Sequence, residues 1–376
     1  MSATDYLLSV IDKTNPRKGV AASMARGFLA GCAGLYDAGL EAYLAGEKVG
    51  ARRRGRLPCP VISVGNLTVG GTGKTPMTAM LCRRLRERGL RVTILSRGHG
   101  GSSNAARVVS TPEGAIVLSP ADAGDEPVLL ARLCPGIPVV VGKDRRLSGR
   151  EALRNWPVDV FVLDDGFQFW QLARDVDIVL LDSTAPFDNG YPLPRGLLRE
   201  PARHLRRGHL AVVTRADRLD DTGRHAIVDK IHNYASEMPI FFASHAPAGF
   251  VAVDDALRPP SPQSWGDMTE ATIVALSAIA QPESFYRTLG SLGCHIAREM
   301  AFVDHHKFDQ ADVDAAMAAV EKTGATALVM TEKDAVKWPA GAWKSKTPVL
   351  ALRIAMQFED EDGFIDEVLR RAGIET

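Results

Sequence analysis

The chain has 376 residues, of which 45% are hydrophobic and 24% are charged, and its 45 basic side chains balance its 45 acidic ones. The length predicts two or three domains, and the composition is typical of a soluble globular protein with a sizeable core. Zero net charge excludes a global electrostatic attraction to nucleic acid. The five cysteines include no C-x-x-C pair, which argues against a zinc site or a disulfide framework and indicates a reducing cytosolic compartment.

The first predicted element is an amphipathic helix that begins at Ala25. Apolar side chains recur there at spacings of three and four, whereas Asp37 and Glu41 lie on the other side. A basic run, "GARRRGR", follows. The helix either packs on its own domain or lies in a membrane surface, with the basic run near anionic headgroups. Neither a cleavable signal peptide nor a membrane-spanning helix is predicted, because charges precede the first apolar run and no apolar stretch reaches about 20 residues.

Apolar stretches of strand length alternate with helical patterns up to about residue 240. The predicted strands lie in "CPVISVGNL", "RVTILSRG", "IPVVVG", "VDVFVLDDG", "VDIVLLD" and "HLAVVTRAD", and a helix lies in "TPMTAMLCRRLRERG". Strands that are apolar on both faces predict a parallel sheet covered by helices on both sides.

The pattern changes after about Pro239. "MPIFFASHAPAGFVAVDD" predicts extended pairs and "LRPPSPQSW" a linker-like loop, and then strands alternate with helices that begin at Gln281 and at about Gln310. We therefore predict an N-terminal helix and basic segment over residues 1–57, a core domain over 58–240 and a smaller α/β domain over 241–376.

A glycine-rich stretch, "VGGTGKT", stands between the first strand and the first helix of the core. In a phosphate-binding loop, backbone N–H groups point into a concavity and glycines let the chain approach phosphate closely. Lys74 would then contact the β- and γ-phosphates and Thr75 would bind Mg²⁺, while the helix N-terminus adds its dipole. The fold class is thus predicted to be α/β, with a P-loop NTPase-type parallel sheet flanked by helices. The predicted nucleotide-binding residues are Thr68, Val69, Gly70, Gly71, Thr72, Gly73, Lys74 and Thr75.

This loop departs from the usual G-x-x-x-x-G-K-[ST] pattern, because Thr68 stands where the first glycine is expected. It is similar instead to the K-G-G-x-G-K-[ST] loop of the ParA/MinD-like branch of P-loop proteins. That branch has a signature lysine where this chain has Val69, which weakens an assignment to those dimeric ATPases.

Two consecutive carboxylates, Asp164 and Asp165, follow the apolar run "VFVL". An aspartate at the carboxyl end of a strand faces the ligand crevice of an open α/β sheet. The pair is therefore predicted to serve Mg²⁺ or its waters, with a surface turn as the alternative. The sequence does not distinguish which of the two meets the metal.

Two stretches resemble the [NT]-K-x-D motif by which GTPases read guanine. "TRAD" has Arg215 in place of the lysine, and "TEKD", Thr331–Asp334, has its lysine one position late. Neither matches cleanly, which favours ATP over GTP.

A kinase also needs a group that removes the proton of the acceptor hydroxyl. Asp125 and Glu126 stand at the start of a predicted helix, where capping by Asp125 is the alternative. "AFVDHHKFD" places Asp304, His305 and His306 after an apolar segment. That run is similar to the DHH phosphoesterases, but the further aspartate motifs of those enzymes are missing, and a surface loop is the alternative.

Basic side chains occur in two further loops. The loop Asn189–Pro201 carries Arg195, Arg199 and Glu200, and "VGKDRR" forms a basic cluster that includes Arg145. Cationic groups at strand ends suit a phosphorylated substrate, although the first loop also fits a plain connector.

Taken in order, seven motifs resemble those of the tetraacyldisaccharide 4′-kinases, the lipid A 4′-kinases of Gram-negative bacteria. They are "SVGNLTVGGTGKTP", "SRGHGG", "GDEP", "VLDDGFQ", "PLPRGLLREP", "FVDHH" and "TEKDAVK", and they span about residues 60 to 337. The loop of that family resembles GNLxVGGTGKT, so Thr68 fits it.

The resemblance implies transfer of phosphate from ATP, with Mg²⁺, to the 4′-hydroxyl of a tetraacylated glucosamine disaccharide 1-phosphate. It implies Asp125 as the base, His305 as its partner with His306 as the alternative, and Lys74 as the group that binds the transferring phosphate. The metal would be served by Thr75, Asp164, Asp165 and Glu200, and phosphate would be held by Arg199. Arg145 of the basic cluster "VGKDRR" is a second predicted phosphate contact, from its place at a strand end.

The resemblance also implies a peripheral enzyme on the cytoplasmic face of the inner membrane, with no nucleic acid and no protein partner required. Four acyl chains keep the substrate in the bilayer, because each buried CH₂ group contributes roughly 0.8 kcal/mol. This favours the membrane-surface interpretation of the N-terminal helix. The rival hypotheses are an accessory ATPase or GTPase of the ParA/MinD-like branch that acts on a protein partner, and a nucleotide-gated membrane scaffold.

Overall fold

The computed structural model of the chain describes residues 9–11, 18–48, 54–99, 101, 105–253, 264–265, 268–304, 306–339, 341 and 347–375. They form a mixed α/β fold of mostly parallel strands flanked by helices, which confirms the predicted fold class. The chain divides into two compact units. The first unit comprises Met1–Lys74, Asp165–Ser244 and Gln357–Glu375, and the second comprises Thr75–Asp164 and His245–Met356. The boundaries predicted at residues 57 and 240 stay a prediction.

The elements alternate along most of the chain. The helices are α1 (Val20–Lys48), α2 (Lys74–Glu87), α3 (Pro120–Ala123), α4 (Asp125–Leu133), α5 (Arg145–Asn155), α6 (Asp221–His232), α7 (Pro282–Ser291), α8 (Gln310–Thr323), α9 (Glu332–Ala335) and α10 (Glu361–Ala372). The strands are β1 (Val61–Asn66), β2 (Val92–Ser96), β3 (Arg107–Ser110), β4 (Val139–Val141), β5 (Val160–Asp164), β6 (Val176–Asp182), β7 (Leu210–Thr214), β8 (Ile240–Ala252), β9 (Ser264–Trp265), β10 (Thr272–Ser277), β11 (His295–Ala301), β12 (Ala327–Thr331) and β13 (Val349–Phe358). Two 3₁₀ helices span Ala202–Arg207 and Ala216–Arg218.

The strands of the first unit pair in parallel. β6 lies between β1 and β7, and β7 pairs with the first residues of β8. Every residue of β1 and β7 is buried, as the continuous apolar runs in their sequences predict for a sheet covered on both faces. Leu67, Phe167 and Leu198 lie in one apolar cluster of this unit, so the segments that follow β1 share a core with the loop before residue 200.

The second unit contains two sets of paired strands. β2 pairs in parallel with β4 and β5, and β3 runs antiparallel to β4. In the other set, β10 lies between β11 and β12, and β12 pairs with β13, all in parallel. Alternate residues of β10 enter two different apolar clusters, Val274 and Leu276 in one and Ile273 and Ala275 in the other. Both faces of this strand are therefore covered.

The N-terminal helix α1 starts five residues earlier than predicted and buries Leu29, Ala33 and Leu44. The sequence placed Asp37 and Glu41 on the polar side of this helix, and in the structure both are half-buried. Arg203 Nη2 lies 2.6 Å from Asp37 Oδ1 and 2.8 Å from Glu41 Oε1. This partner lies more than 160 positions later in the sequence, so the local pattern of the helix does not reveal it. The polar side of α1 is thus part of its contact with the rest of the first unit.

A different set of α1 residues forms an exposed apolar stripe. Val20, Met24, Phe28 and Leu35 recur at helical spacing and are 79%, 71%, 73% and 76% exposed. Among the described residues, no helix is both long and apolar enough to cross a membrane. Arg52 and Arg53 of the basic run lie outside the described residues, whereas Arg54 and Arg56 are exposed.

Most predicted strands and the helix α2 are confirmed, and the differences are local. The segment predicted as extended pairs after Pro239 is one 13-residue strand, β8. The basic cluster at Arg145 begins a helix, α5, because the Asp144 side chain caps it by accepting a hydrogen bond from the Arg146 N–H. The predicted linker-like loop lies outside the described residues except for the short strand β9.

Candidate nucleotide and phosphate site

The glycine-rich stretch between β1 and α2 has the backbone geometry of a phosphate-binding loop. Gly70 and Gly73 have φ values of 122° and 87°, which side-chain-bearing residues rarely adopt. The helix α2 begins at Lys74. The first N–H groups of a helix have no partner within it and carry the positive end of its dipole, so this turn can bind an anion.

Asn66, the last residue of β1, organises this loop from within. Its side-chain amide donates to Thr72 Oγ1 at 2.9 Å, and its Oδ1 accepts from Lys74 Nζ at 3.3 Å. Asn66 is fully buried. It therefore fixes both a loop hydroxyl and the lysine, a role that sequence analysis missed although the residue belongs to the "GNL" part of the motif.

Asp165 and Arg199 form an ion pair beside the lysine. Arg199 Nη1 lies 3.0 and 2.8 Å from the two carboxylate oxygens of Asp165, and Lys74 Nζ lies 3.8 Å from Oδ1. Asp165 has a left-handed backbone with a φ of 51°. The structure thus brings together three residues that sequence analysis assigned separately to phosphate and metal.

The loop that carries Arg199 is hydrogen-bonded to the phosphate loop through its backbone. The Val69 N–H donates to the Leu197 carbonyl and the Arg199 N–H donates to the Leu67 carbonyl, both at 2.7 Å. The two bonds lie on either side of Thr68. The glycine- and proline-rich loop that carries Arg199 therefore supports the start of the phosphate loop and is more than a connector.

Glu200 lies in a buried polar network. Its carboxylate has no exposed surface and accepts from Gln168 Nε2 at 3.1 Å, contacts His204 Nδ1 at 2.9 Å and is ion-paired with Arg207. Buried charges are stable only when paired and hydrogen-bonded, as this one is. Its assignment as a metal ligand stays a prediction.

In the second unit, Asp164 ends β5 and is 2% exposed. Its two oxygens accept from the hydroxyls of Thr78 and Ser96 at 3.3 and 3.2 Å. The carboxylate is therefore held in one orientation, in contrast to Asp165, which is paired with cations. Within the described part of the chain, no three His, Cys, Asp or Glu side chains are grouped so as to hold a metal ion.

Asp125 is the first residue of α4, and the capping position before it is held by Gly124. Asp125 is therefore a residue of the first helical turn and not the N-cap residue, and the choice between a capping and a catalytic role stays a prediction. Gly124 has a φ of 91°, and an added Cβ would lie 2.4 Å from the His99 carbonyl oxygen. The "SRGHGG" and "GDEP" motifs consequently pack against each other, and this contact holds the half-buried Asp125 at the helix start.

His305, the predicted partner of Asp125, lies outside the described residues. Two contacts hold its neighbour His306 in place. Its Nε2 lies 2.8 Å from Asp312 Oδ2, and its ring stacks on Phe302 with centroids 4.7 Å apart. Asp304 Oδ1 lies 3.6 Å from Lys333 Nζ. The choice of His305 over His306 stays a prediction.

Two other residues that the sequence motifs singled out form hydrogen bonds with nearby groups. The Arg145 side chain is buried and donates to the Lys143 carbonyl at 3.1 Å, and its assignment to phosphate stays a prediction. Asp334 of "TEKD" is buried and accepts from the Thr331 hydroxyl at 2.6 Å and from the Ala278 N–H at 3.0 Å. These contacts give Asp334 a structural role in the second unit.

Arg215 of "TRAD" contacts the phosphate loop. It has a φ of 56°, forms an ion pair with Asp182 and donates from Nη2 to the Gly71 carbonyl at 3.3 Å. The Asp182 carboxylate also accepts from the Thr184 N–H and hydroxyl at 3.0 and 2.8 Å. The guanine-motif comparison pointed to this position but not to its role, which is to hold a glycine of the loop.

We expect Arg215→Met to raise KM for ATP about 5- to 10-fold and to change kcat less, because a single charge-assisted hydrogen bond to the loop is lost. Arg215→Lys should recover part of the effect. The matched control is Arg218→Met on the same 3₁₀ turn, where the side chain is exposed. Steady-state kinetics at varied ATP measure both parameters, and an unchanged KM in Arg215→Met would contradict the assignment.

Taken together, a buried strand, a loop with two glycines at positive φ, a lysine at the start of a helix and a paired aspartate define a P-loop nucleotide-binding protein. The family model "Tetraacyldisaccharide-1-P 4'-kinase" matches residues 25–372. The chain belongs to this family, and it is an ATP-dependent kinase of lipid A biosynthesis.

Curated relatives and a solved structure agree with this membership. The chain is 41% identical to a tetraacyldisaccharide 4′-kinase of Syntrophus aciditrophicus over 84% of each chain. It is 43% identical to one of an Anaeromyxobacter species over 81% of this chain and 80% of the relative. The structure of LpxK from Aquifex aeolicus, solved in complex with ATP, has a TM-score of 0.73 and 28% identity, and the match covers 92% of this chain and 99% of that one. These matches do not favour the accessory ATPase alternative.

Proposed function

We propose that this kinase transfers the γ-phosphate of ATP to the 4′-hydroxyl of a tetraacylated glucosamine disaccharide 1-phosphate while it is bound to the surface of the inner membrane. The observation that carries the catalytic part is the fixed position of Lys74, whose ammonium group is held by Asn66 Oδ1 and lies beside Asp165 at the start of α2. Catalysis of phosphoryl transfer depends mainly on positioning and on electrostatic stabilisation of the transferring group.

Lys74 would stabilise the charge on the transferring phosphate. Its cation is partly balanced by Asp165, which Arg199 also neutralises. Because Arg199 keeps Asp165 paired, Lys74 can turn towards phosphate oxygens without leaving an isolated carboxylate. Arg199 is placed to supply a second cation near the same phosphates.

Asp125 would accept the proton of the 4′-hydroxyl, with His305 as its orienting partner. Two features support this role: Asp125 is half-buried at the start of α4, and the glycine contacts between two of the family motifs fix its backbone. A positioned carboxylate of this kind can act as a general base in phosphoryl transfer.

The residues of the second unit fit a magnesium ion. Mg²⁺ is usually bound by one or two carboxylates together with waters and substrate phosphates. The Thr75 hydroxyl and the buried carboxylate of Asp164 provide this donor set, and the hydroxyls of Thr78 and Ser96 fix the carboxylate. When bound, the ion would neutralise charge on the ATP phosphates. The same assignment for Asp165 and Glu200, which belong to the first unit, stays a prediction.

The exposed stripe of α1 supports a membrane surface as the site of action. Four large apolar side chains, Val20, Met24, Phe28 and Leu35, are exposed on a helix whose opposite side is fixed to the first unit by ion pairs. An exposed apolar patch of this kind marks an interaction surface, and the exposed Arg54 and Arg56 would favour anionic headgroups. We place this surface on the cytoplasmic face of the inner membrane, where ATP is available.

Replacing the stripe by Met24→Ser, Phe28→Ser and Leu35→Ser together should weaken binding to phosphatidylglycerol-containing vesicles by at least about 30-fold, because burial of each such side chain contributes roughly 1.5–3 kcal/mol. The control replaces three exposed alanines of the same helix, Ala21, Ala38 and Ala42, with serine. Co-sedimentation with the vesicles measures the partition. Equal partition of the two variants would show that the stripe does not contact lipid.

The function is tested by incubating the protein with ATP labelled in its γ-phosphate and with the monophosphorylated disaccharide lipid in mixed micelles. Label should appear in the lipid at the 4′ position. Label that appears only as inorganic phosphate, at a rate that the lipid does not change, would instead support an accessory ATPase.

A further inference from the structure

Helix α1 is hydrogen-bonded to the loop that supports the phosphate site. Tyr36 Oη donates to the Arg199 carbonyl at 2.8 Å, and Glu41 Oε1 lies 2.9 Å from His204 Nε2. Both contacts reach the segment Arg199–His204 from the same helix.

The His204 ring continues this contact into the interior. It is 2% exposed, and its Nδ1 lies 2.9 Å from Glu200 Oε2. Each ring nitrogen thus faces a carboxylate oxygen. The ring is therefore a bridge between Glu41 on α1 and the buried Glu200.

Two paths lead from this segment to the catalytic lysine. Gln168 Nε2 donates to Glu200 Oε1 and also to the Asn66 carbonyl, at 3.1 and 3.0 Å, and Asn66 holds Lys74. On the second path, Arg199 pairs with Asp165, which lies beside Lys74. Each group on both paths contacts the next, and all of them lie in the first unit.

We propose that Tyr36 and His204 are positioning residues that fix the phosphate loop to helix α1, so that phosphoryl transfer is fast only while these two contacts are made. Displacing α1 would take Glu41 away from His204 Nε2 and Tyr36 Oη away from the Arg199 carbonyl, and the loss of a partner from a buried polar group is costly. The inference rests on the proposed function, because it joins the helix that would contact lipid to the lysine that would contact phosphate.

The test compares Tyr36→Phe and His204→Gln with Asp37→Asn in the full chain. Asp37 contacts only Arg203 among the polar contacts described above, so its variant weakens the attachment of α1 without touching either path. We expect kcat to fall about 10-fold in His204→Gln and about 3-fold in Tyr36→Phe, with vesicle partition unchanged, because lost positioning lowers rate without removing the lipid contact. Amide exchange in residues 67–74 should quicken in both variants but not in the control.

Tyr36 is partly exposed, so Tyr36→Phe tests the proposal even if His204→Gln does not fold. An unchanged kcat and unchanged amide exchange in Tyr36→Phe would overturn it. So would an equal loss of rate in Asp37→Asn, since the effect would then come from any weakening of α1. The wild-type protein distinguishes a failure of this proposal from a failure of the proposed function: if the wild-type protein transfers no label to lipid, the proposed function itself is wrong.

Discussion

Replacing Lys74 with alanine is expected to lower kcat by about 10²- to 10³-fold, the usual effect of removing one fixed group that stabilises transition-state charge. The structure adds a reason why stability should change little. Asp165 keeps its ion pair with Arg199, and the Asn66 amide keeps its bond to Thr72. The loss should therefore fall on the chemical step and not on folding.

Two further variants make this expectation specific. Lys74→Arg keeps the charge but not the compact ammonium geometry, so it should restore little activity. Lys230→Ala removes an exposed lysine from α6 of the same unit and should behave as wild type. Transfer of labelled phosphate to lipid measures the rates, and thermal unfolding checks the fold. Near-normal turnover in Lys74→Ala would contradict the assignment of Lys74 as the catalytic lysine of the phosphate loop.

The phosphate loop and its flanking elements could be predicted from sequence because their signals are local. The apolar run of β1, the glycines and the lysine at the start of α2 lie within about 15 consecutive positions, and the structure places them as expected. The same holds for Asp164 at the end of β5. In each case, neighbouring residues determine the conformation.

The surroundings of these residues could not be predicted, because their partners are far away in the sequence. Asp37 seemed to mark the solvent side of α1, but Arg203, 166 positions later, pairs with it. The stripe that does face outward could be found only once Leu29 and Leu44 were seen to be buried. Periodicity identifies an amphipathic helix but does not say which face another part of the protein covers.

Glu200 shows the same limit at the site itself. Its motif suggested a metal ligand, but the structure surrounds it with Gln168, His204 and Arg207. Nothing in the sequence near "LLREP" indicates that α1 is part of this network. The signal that could have been used is the spacing of four between Glu200 and His204, two groups that can hydrogen-bond where the chain turns into the 3₁₀ helix Ala202–Arg207.

Asp125→Asn is expected to lower kcat by about 10²- to 10³-fold while the Kd for ATP changes less than about 3-fold, since a general base acts on the acceptor and not on the nucleotide. A carboxylate at a helix start also stabilises the helix, typically by about 0.3–1 kcal/mol. Asparagine keeps the size of the side chain, so a purely structural role would cost a little stability and almost no rate.

The control for this variant is Asp122→Asn, three residues earlier. Asp122 accepts from the Ser119 hydroxyl at 2.7 Å and serves the short helix α3, so its loss should affect local stability alone. Equilibrium binding of a fluorescent ATP analogue and single-turnover transfer to lipid separate affinity from chemistry. If ATP affinity collapses in Asp125→Asn while the control binds normally, Asp125 contacts the nucleotide or its metal, and the base must be sought elsewhere. If transfer alone is lost, the carboxylate at the start of α4 acts on the sugar hydroxyl, and the glycines that hold its backbone belong to the catalytic apparatus.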